Sequence, residues 1–180
     1  MDGKSPAKKY ENMTVLVSDI VDFTKTTTTL SPYFLINELN DIVTAFDMIT
    51  QKHGCIRIKT IGDAYMAVCG LPEENPEHAQ NIIHCAQDFL TYLNERNTHY
   101  DTKWNIRIGI ASGSVIGGII GEKKYLYDIL GEPVDYAVEL QNASKAMEVR
   151  ISAETYSLIK DKMELPEYFE IAGKRASKRN

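Results

Sequence analysis

The sequence predicts an α+β fold, a ferredoxin-like βαββαβ core with an added β-hairpin arm and a C-terminal strand and helix. Three observations carry this. Short apolar runs and segments with three-and-four apolar spacing follow one another in the order strand, helix, strand, strand, helix, strand. The second and third strands are separated by a single tight turn at Gly62. The chain has 180 residues, 43% hydrophobic and 25% charged, which suits one core and one domain.

Each element has its own signature. "TVLVSDI" (14–20) is apolar and rich in β-branched residues, as a central strand is. Ser31 and Pro32 supply an N-cap and a first-turn proline. Leu35, Leu39, Ile42, Phe46 and Ile49 then form one apolar stripe, which Gly54 ends. In "IRIKTI" (56–61), Ile56, Ile58 and the turn-flanking Ile61 predict one buried strand face, and "DAYMAVC" returns as its hairpin partner. A second helix is expected from about Pro76, with Ala79, Ile82, Ile83, Ala86, Phe89, Leu90 and Leu93 inward. "NIRIGIASG" (105–113) alternates again, and "VIGGIIG" reads as a further glycine-rich strand. A hairpin-like "EKKYLYDILG", a short helix near "VDYAVELQNAS", a strand "VRIS" and a helix "AETYSLIKD" complete the series. The helices are expected on one face of the sheet. Residues 1–12 read as a flexible polar N-terminus, 13–172 as the folded domain and 173–180 as a basic, solvated tail containing Lys174, Arg175, Lys178 and Arg179.

Composition narrows the function. A net charge of −5 gives no footprint for nucleic acid. The three cysteines (Cys55, Cys69, Cys85) lack CxxC spacing, which argues for reduced, buried thiols rather than a disulfide framework or structural zinc. The expected compartment is cytoplasmic, with the chain possible as the cytosolic part of a larger membrane or sensor protein. No apolar run approaches the roughly 20 residues that span a bilayer, so no membrane segment is expected.

The chemistry sits at two aspartates. Asp19 closes the first strand and Asp63 opens the third, so antiparallel pairing brings both carboxylates to one sheet edge. Adjacent unpaired carboxylates repel, and a proton or a hard divalent cation relieves them. The backbone after Asp19, "IVDFT", turns into a helix whose N–H groups suit phosphates.

"VSDIVDFTK", "IKTIGDAYMAVCGLPE" and "RIGIASGSVIGGIIGEKKYLYDILGEPVDYAVEL" resemble, in order and spacing, the three signature segments of class III nucleotide cyclases, the adenylyl and guanylyl cyclase catalytic domains. The resemblance covers about residues 12–160. It implies a class III cyclase homology domain working as a homodimer, or as a heterodimer with a complementary half, with ATP bound between the two. Two Mg²⁺ or Mn²⁺ ions per complete site would lie on Asp19, Asp63 and the carbonyl of Ile20. Amides around Phe23 and Thr24 would hold the terminal phosphates, with Gly62 forming the turn beside them. Lys59, a lysine in adenylyl and a glutamate in guanylyl cyclases, would read adenine together with Asp128.

Departures from the family pattern bear on activity. Seven and eleven residues after Asp128, where active homodimeric cyclases carry the asparagine and arginine that orient ribose and stabilise the transition state, stand Asp135 and Glu139. Heterodimeric cyclases contain a metal-bearing half with this loss, which "GLPE" and "SGSV" also resemble; Ser114 occupies a position that is a phosphate-contacting arginine in some such halves. The resemblance therefore implies an adenylate cyclase domain, weak or inactive alone. A non-catalytic nucleotide-binding or dimerising module, a guanylate cyclase, and a different enzyme on a related sheet (which would lack the GG[DE]EF hairpin of diguanylate cyclases here) are the alternatives.

Overall fold

The computed structural model describes residues 7–121 and 126–175. Its sheet runs in the order β2-β3-β1-β4-β6-β7, with β5 pairing β4 off that path. The first four positions are those of a ferredoxin-like core. β1 (Lys8–Ile20) lies between β3 (Ala64–Cys69) and β4 (Ile106–Ile120), antiparallel to both.

The middle of β1 is buried on both faces, and its alternation divides the core in two. Leu16 and Ile20 face a cluster with Ile42, Phe46, Ile82, Phe89, Trp104 and Ile108. Val15 and Val17 face another, with Met66, Val68, Ala111, Ile129, Ala137 and Leu140. α2 (Pro32–Lys52) and α3 (His78–His99) cover the first face. α4 (Glu132–Ala143) covers the other, so the helices are not confined to one side as expected. Phe46 and Phe89 stack at 3.8 Å, and Tyr65 meets both edge-on at 5.5 and 5.6 Å. Burial of each such ring contributes about 1.5–3 kcal/mol.

The α2 N-terminus forms as its sequence predicts. The Ser31 hydroxyl accepts from the Phe34 N–H, Pro32 occupies the first turn, and Gly54 follows the helix with φ 68°. The predicted α3 stripe is buried throughout. α1 (Phe23–Thr27) is a single short turn, and α5 (Ala153–Ile159) is capped by the Ser152 side chain.

Four expectations are corrected. β1 starts at Lys8, so residues 8–12 are not a frayed terminus: Lys8, Lys9 and Tyr10 pair with the distal part of β4. "NIRIGIASG" and "VIGGIIG" form one continuous strand, β4. Its glycines admit close neighbours rather than turns: a Cβ on Gly109 would lie 2.1 Å from the Ala137 carbonyl, and one on Gly113 2.8 Å from Pro133. β2 (Ile56–Ile61) is an edge strand, which leaves Ile56 and Ile58 half-buried and Ile61 65% exposed. Finally, a short strand β7 (Phe169–Ile171) extends the sheet parallel to β6 (Val149–Ile151). The arm is β5 (Leu126–Leu130) on distal β4; residues 122–125 of the expected hairpin lie outside the described residues. All three cysteines are buried and unbridged; the Cys55 contact, with burial, raises the Cys69 thiol well above the usual range, while the Cys55 thiol is lowered by Cys69 yet carried above the usual range by Cys85 and burial.

Candidate active site

β1 and the β2–β3 hairpin bring the two aspartates to one end of the sheet. Gly62 takes φ 57°, a conformation open to glycine, and with Asp63 it forms the turn between Ile61 and Ala64. The last paired residue of β1 toward β3 is Ser18, opposite Tyr65. Beyond it the Ile20 N–H donates to Asp63 Oδ2 at 2.9 Å. The hairpin tip is thereby pinned to the strand that carries Asp19. Both carboxylates are half-buried.

Asp19 has a partner the sequence reading did not name. It lies directly across from Arg107 in the β1–β4 register. Arg107 Nε donates to Asp19 Oδ1 at 3.1 Å and Nη2 to Oδ2 at 2.8 Å, a two-pronged contact. Its Nη1 reaches the Asn142 carbonyl of α4 at 3.4 Å. The expected repulsion between the carboxylates is thus relieved in part within the chain: Arg107 balances Asp19, and a backbone amide serves Asp63.

Phe23 and Thr24 open α1, directly after Asp22, which caps that turn in a left-handed conformation (φ 55°). First-turn amides have no acceptor within their own helix. Phe23 leans on Trp104, with ring centroids 6.4 Å apart.

The second expected pair forms within this single chain. Lys59 Nζ, on β2, donates to Asp128 Oδ2 on β5 at 2.9 Å. Asp128 Oδ1 also accepts from the Ile129 N–H at 2.8 Å, which fixes the carboxylate plane. Lys59 and Asp128 retain 34% and 21% side-chain exposure.

Asp135 and Glu139 lie on the exposed side of α4, whose buried side is Pro133, Ala137, Leu140 and Gln141. Among the described residues neither acid contacts Asp19, Asp63, Lys59 or Asp128. Glu139 instead binds Arg175, which also reaches Glu132 at 3.3 Å and lies 4.8 Å above the Tyr136 ring. Only 18% of the Arg175 side chain is exposed. Within the described part of the terminal basic segment, Arg175 is therefore docked rather than solvated, while Lys174 is exposed as expected. A cavity of about 320 Å³ adjoins this contact, lined by Lys9, Ser112, Ser114, Glu132, Tyr136 and Arg175 among others.

No group of three or more His, Cys, Asp or Glu side chains is arranged to hold a metal among the described residues. Two half-buried carboxylates at one strand end nevertheless fit Mg²⁺ or Mn²⁺, because such ions commonly take one or two carboxylates and complete their octahedron with water and substrate phosphate.

This fold, with one acid at the end of its central strand and a second on the adjoining hairpin tip, is that of a nucleotide cyclase catalytic domain. Residues 5–178 match the family model for the adenylate and guanylate cyclase catalytic domain, and the chain belongs to that family. An adenylate cyclase of Mycobacterium tuberculosis is 31% identical over 161 residues, covering 89% of this chain and 36% of the relative. A membrane guanylyl cyclase of Dictyostelium discoideum is 35% identical over 155 residues, covering 86% of this chain and 10% of the relative. The chain thus spans about a third of the first protein and a tenth of the second. Among solved structures, the catalytic core of a rhodopsin-guanylyl cyclase with converted specificity, in complex with ATPalphaS, superposes with TM-score 0.82 at 36% identity, covering 90% of this chain and 86% of that one. The adenylyl cyclase CyaB from P. aeruginosa gives 0.81 at 30% identity, covering 87% and 84%. Among the described residues no helix is long and apolar enough to cross a membrane.

Proposed function

We propose that this domain is the metal-bearing member of an adenylate cyclase dimer, converting ATP to 3′,5′-cyclic AMP and pyrophosphate. The observation that carries this reading is the Lys59–Asp128 pair, 2.9 Å apart, which would read the base across the dimer interface, opposite the Asp19 and Asp63 of the other chain. Lysine can donate to adenine N1 while the aspartate accepts from the exocyclic amine; guanine presents the opposite donor and acceptor at these positions. The converted-specificity neighbour crystallised with an ATP analogue supports the view that one fold admits either base.

Asp19, Asp63 and the Ile20 carbonyl would hold two divalent ions. Such ions supply acidification of the ribose 3′-hydroxyl and charge neutralisation on the triphosphate. The chain's own residues do the rest. Amides at Phe23 and Thr24 would receive terminal phosphate oxygens, Gly62 would let the hairpin backbone approach them, and Asp63, anchored by the Ile20 N–H, would keep the hairpin in register. Asp135 and Glu139 would place negative charge where the pentavalent phosphorus develops its own, so a dimer of two such chains would turn over slowly or not at all. A complementary half would supply the asparagine and arginine.

Mixing tests this directly. A helper copy carrying Asp19→Ala, Asp135→Asn and Glu139→Arg has no complete metal site but has the transition-state groups. Cyclic AMP, quantified by mass spectrometry with Mn²⁺ and ATP, is expected from the mixture and from neither chain alone. A silent mixture that still binds ATP would favour the second reading, a nucleotide-binding and dimerising module, for which the engagement of Glu139 by Arg175 speaks. Cyclic GMP from GTP in place of cyclic AMP would make the domain a guanylate cyclase.

A further inference from the structure

The turn that carries Phe23 and Thr24 does not hold its own shape. α1 has five residues, none of them fully buried, and its cap Asp22 sits in the left-handed region with no side-chain hydrogen bond. A helix that short is unstable by itself, so the direction of its amides is imposed from outside. Two tertiary contacts supply this, and both come from the consecutive residues just ahead of β4. The Val21 N–H donates to the Asn105 carbonyl at 2.8 Å, and the Phe23 ring leans on the Trp104 indole with the centroid separation given above. Trp104 is itself tied down. Its N–H donates to Asn97 Oδ1 and its carbonyl accepts from Asn97 Nδ2, each at 2.9 Å, which fastens this backbone to α3. Its indole N–H donates to Glu38 Oε2 of α2 at 2.8 Å, and Arg96 Nη2 of α3 lies 2.9 Å from the same oxygen. Trp104, Glu38 and Arg96 are only 1%, 6% and 5% exposed. A carboxylate this dry needs each of its partners, so the indole N–H helps to hold Glu38 and Glu38 in turn sets the plane of the ring.

We propose that Trp104 is a positioning residue for the nucleotide's phosphates: its indole, oriented by Glu38, holds Phe23 and so keeps the Phe23 and Thr24 amides aimed at the terminal phosphate oxygens. This rests on the reading of those amides as the phosphate cradle. Trp104 touches no substrate and acts through Phe23. Contacts made equally in the ground and transition states lower KM and leave kcat alone. Loosening this wall therefore weakens the hold on a triphosphate and spares recognition of the base by Lys59 and Asp128.

The measurement is calorimetric binding of α,β-methylene-ATP and of AMP, each with Mg²⁺, alongside the emission of Trp104, the only tryptophan in the chain. In the unmodified protein, saturating triphosphate analogue is expected to change that emission and saturating AMP to leave it as it was. Trp104→Phe keeps an apolar ring and removes the indole N–H. Its Kd for the triphosphate analogue should rise about fivefold, with that for AMP unchanged within about twofold, since one buried hydrogen bond and the ring it orients are lost. Phe23→Leu, at a half-buried position, should show the same selective loss and abolish the emission change. A merely structural role would weaken both nucleotides together and leave the emission blind to phosphate length; either result overturns the proposal. If Trp104→Phe melts early, a Phe23→Leu protein that keeps the parent's ratio of the two affinities overturns it alone. An unmodified protein that binds the triphosphate analogue no tighter than AMP refutes the phosphate reading itself, and the proposal with it. A preference for triphosphate that survives intact in both variants refutes only the role of Trp104.

Discussion

Restoring the two α4 positions together, Asp135→Asn with Glu139→Arg, should turn a silent or slow domain into a competent homodimer. Both side chains are exposed and point away from the core, so the fold should tolerate the exchange. What is lost is the Glu139–Arg175 contact, half of which is at the surface, with Glu139 51% exposed. Pairs of this kind contribute about 0.2–1 kcal/mol. Arg175 keeps Glu132 and the Tyr136 ring. For a domain of this size the melting temperature should therefore move by less than about 4 °C. The gain in rate is far larger. One preorganised group stabilising developing charge is commonly worth about 10²–10³ in kcat, and here an acid is removed as well. The assay is the initial rate of cyclic AMP formation at saturating Mn²⁺-ATP, with a fluorescent ATP analogue reporting binding. An unmodified chain within tenfold of the double variant would refute the reasoning, because some other group, Arg175 foremost, would then be supplying the charge. A double variant that binds nucleotide normally yet stays silent would refute it equally.

Three further outcomes follow from the geometry. Gly109→Ala should lower stability by about 1–3 kcal/mol in a denaturant melt, because the added methyl would sit 2.1 Å from the Ala137 carbonyl and 2.3 Å from the Gln141 nitrogen; an unchanged midpoint would mean that α4 does not ride on β4 at this point. Lys59→Glu should set two carboxylates against each other and swing the preference between fluorescent ATP and GTP analogues at least about tenfold toward GTP, since a site built for one hydrogen-bonding edge rejects the other; unchanged preference would remove Lys59 from base recognition. His78 is buried, its Nδ1 2.7 Å from Thr14 Oγ1, and burial followed by the Lys162 charge lowers its pKa below the ordinary 6.5. The unfolded chain then binds the proton more readily, so this contribution to stability is complete above about pH 6.5 and is lost as pH falls toward the folded value. The melting temperature should drop between pH 7.5 and 5.5, and His78→Gln should flatten that slope.

The elements most legible in the sequence were those whose signal is local. The α3 stripe, the Ser31 cap and the Gly62 turn each follow from residues within a few positions of one another, and each stands where predicted. The pairing of β1 with β3 could be inferred from topology, and with it the meeting of Asp19 with the hairpin that carries Asp63. What escaped depended on distant partners. Arg107 is one outward residue of an alternating strand, and only the β1–β4 register reveals its facing aspartate. Lys8 to Tyr10 are strand because distal β4 is there to pair with them, and their own polar composition says nothing of it. Gly113, Gly117 and Gly118 read as a break in "SGSVIGGII", whereas the backbone stays extended and two of them make room for Pro133 and Tyr127. Arg175 belongs to a run of tail charges with no periodicity, and the Glu132–Tyr136–Glu139 face that receives it exists only once α4 is helical.

The unbroken course of β4 carries a mechanical consequence. At one end this strand holds Arg107 against Asp19; at Gly109 it bears α4 backbone to backbone; at the other end it forms the arm, where Ile116, Ile119, Ile120, Leu126 and Leu130 are left open to solvent. A pleated strand resists stretching along its length, so it behaves as a tie-rod: an object seated on the arm loads the same member that fixes the aspartate and the helix. The register irregularity between Tyr10 and Met13 of β1 lies between the rim and Asp19, so it is where strain applied at the arm would be taken up in part.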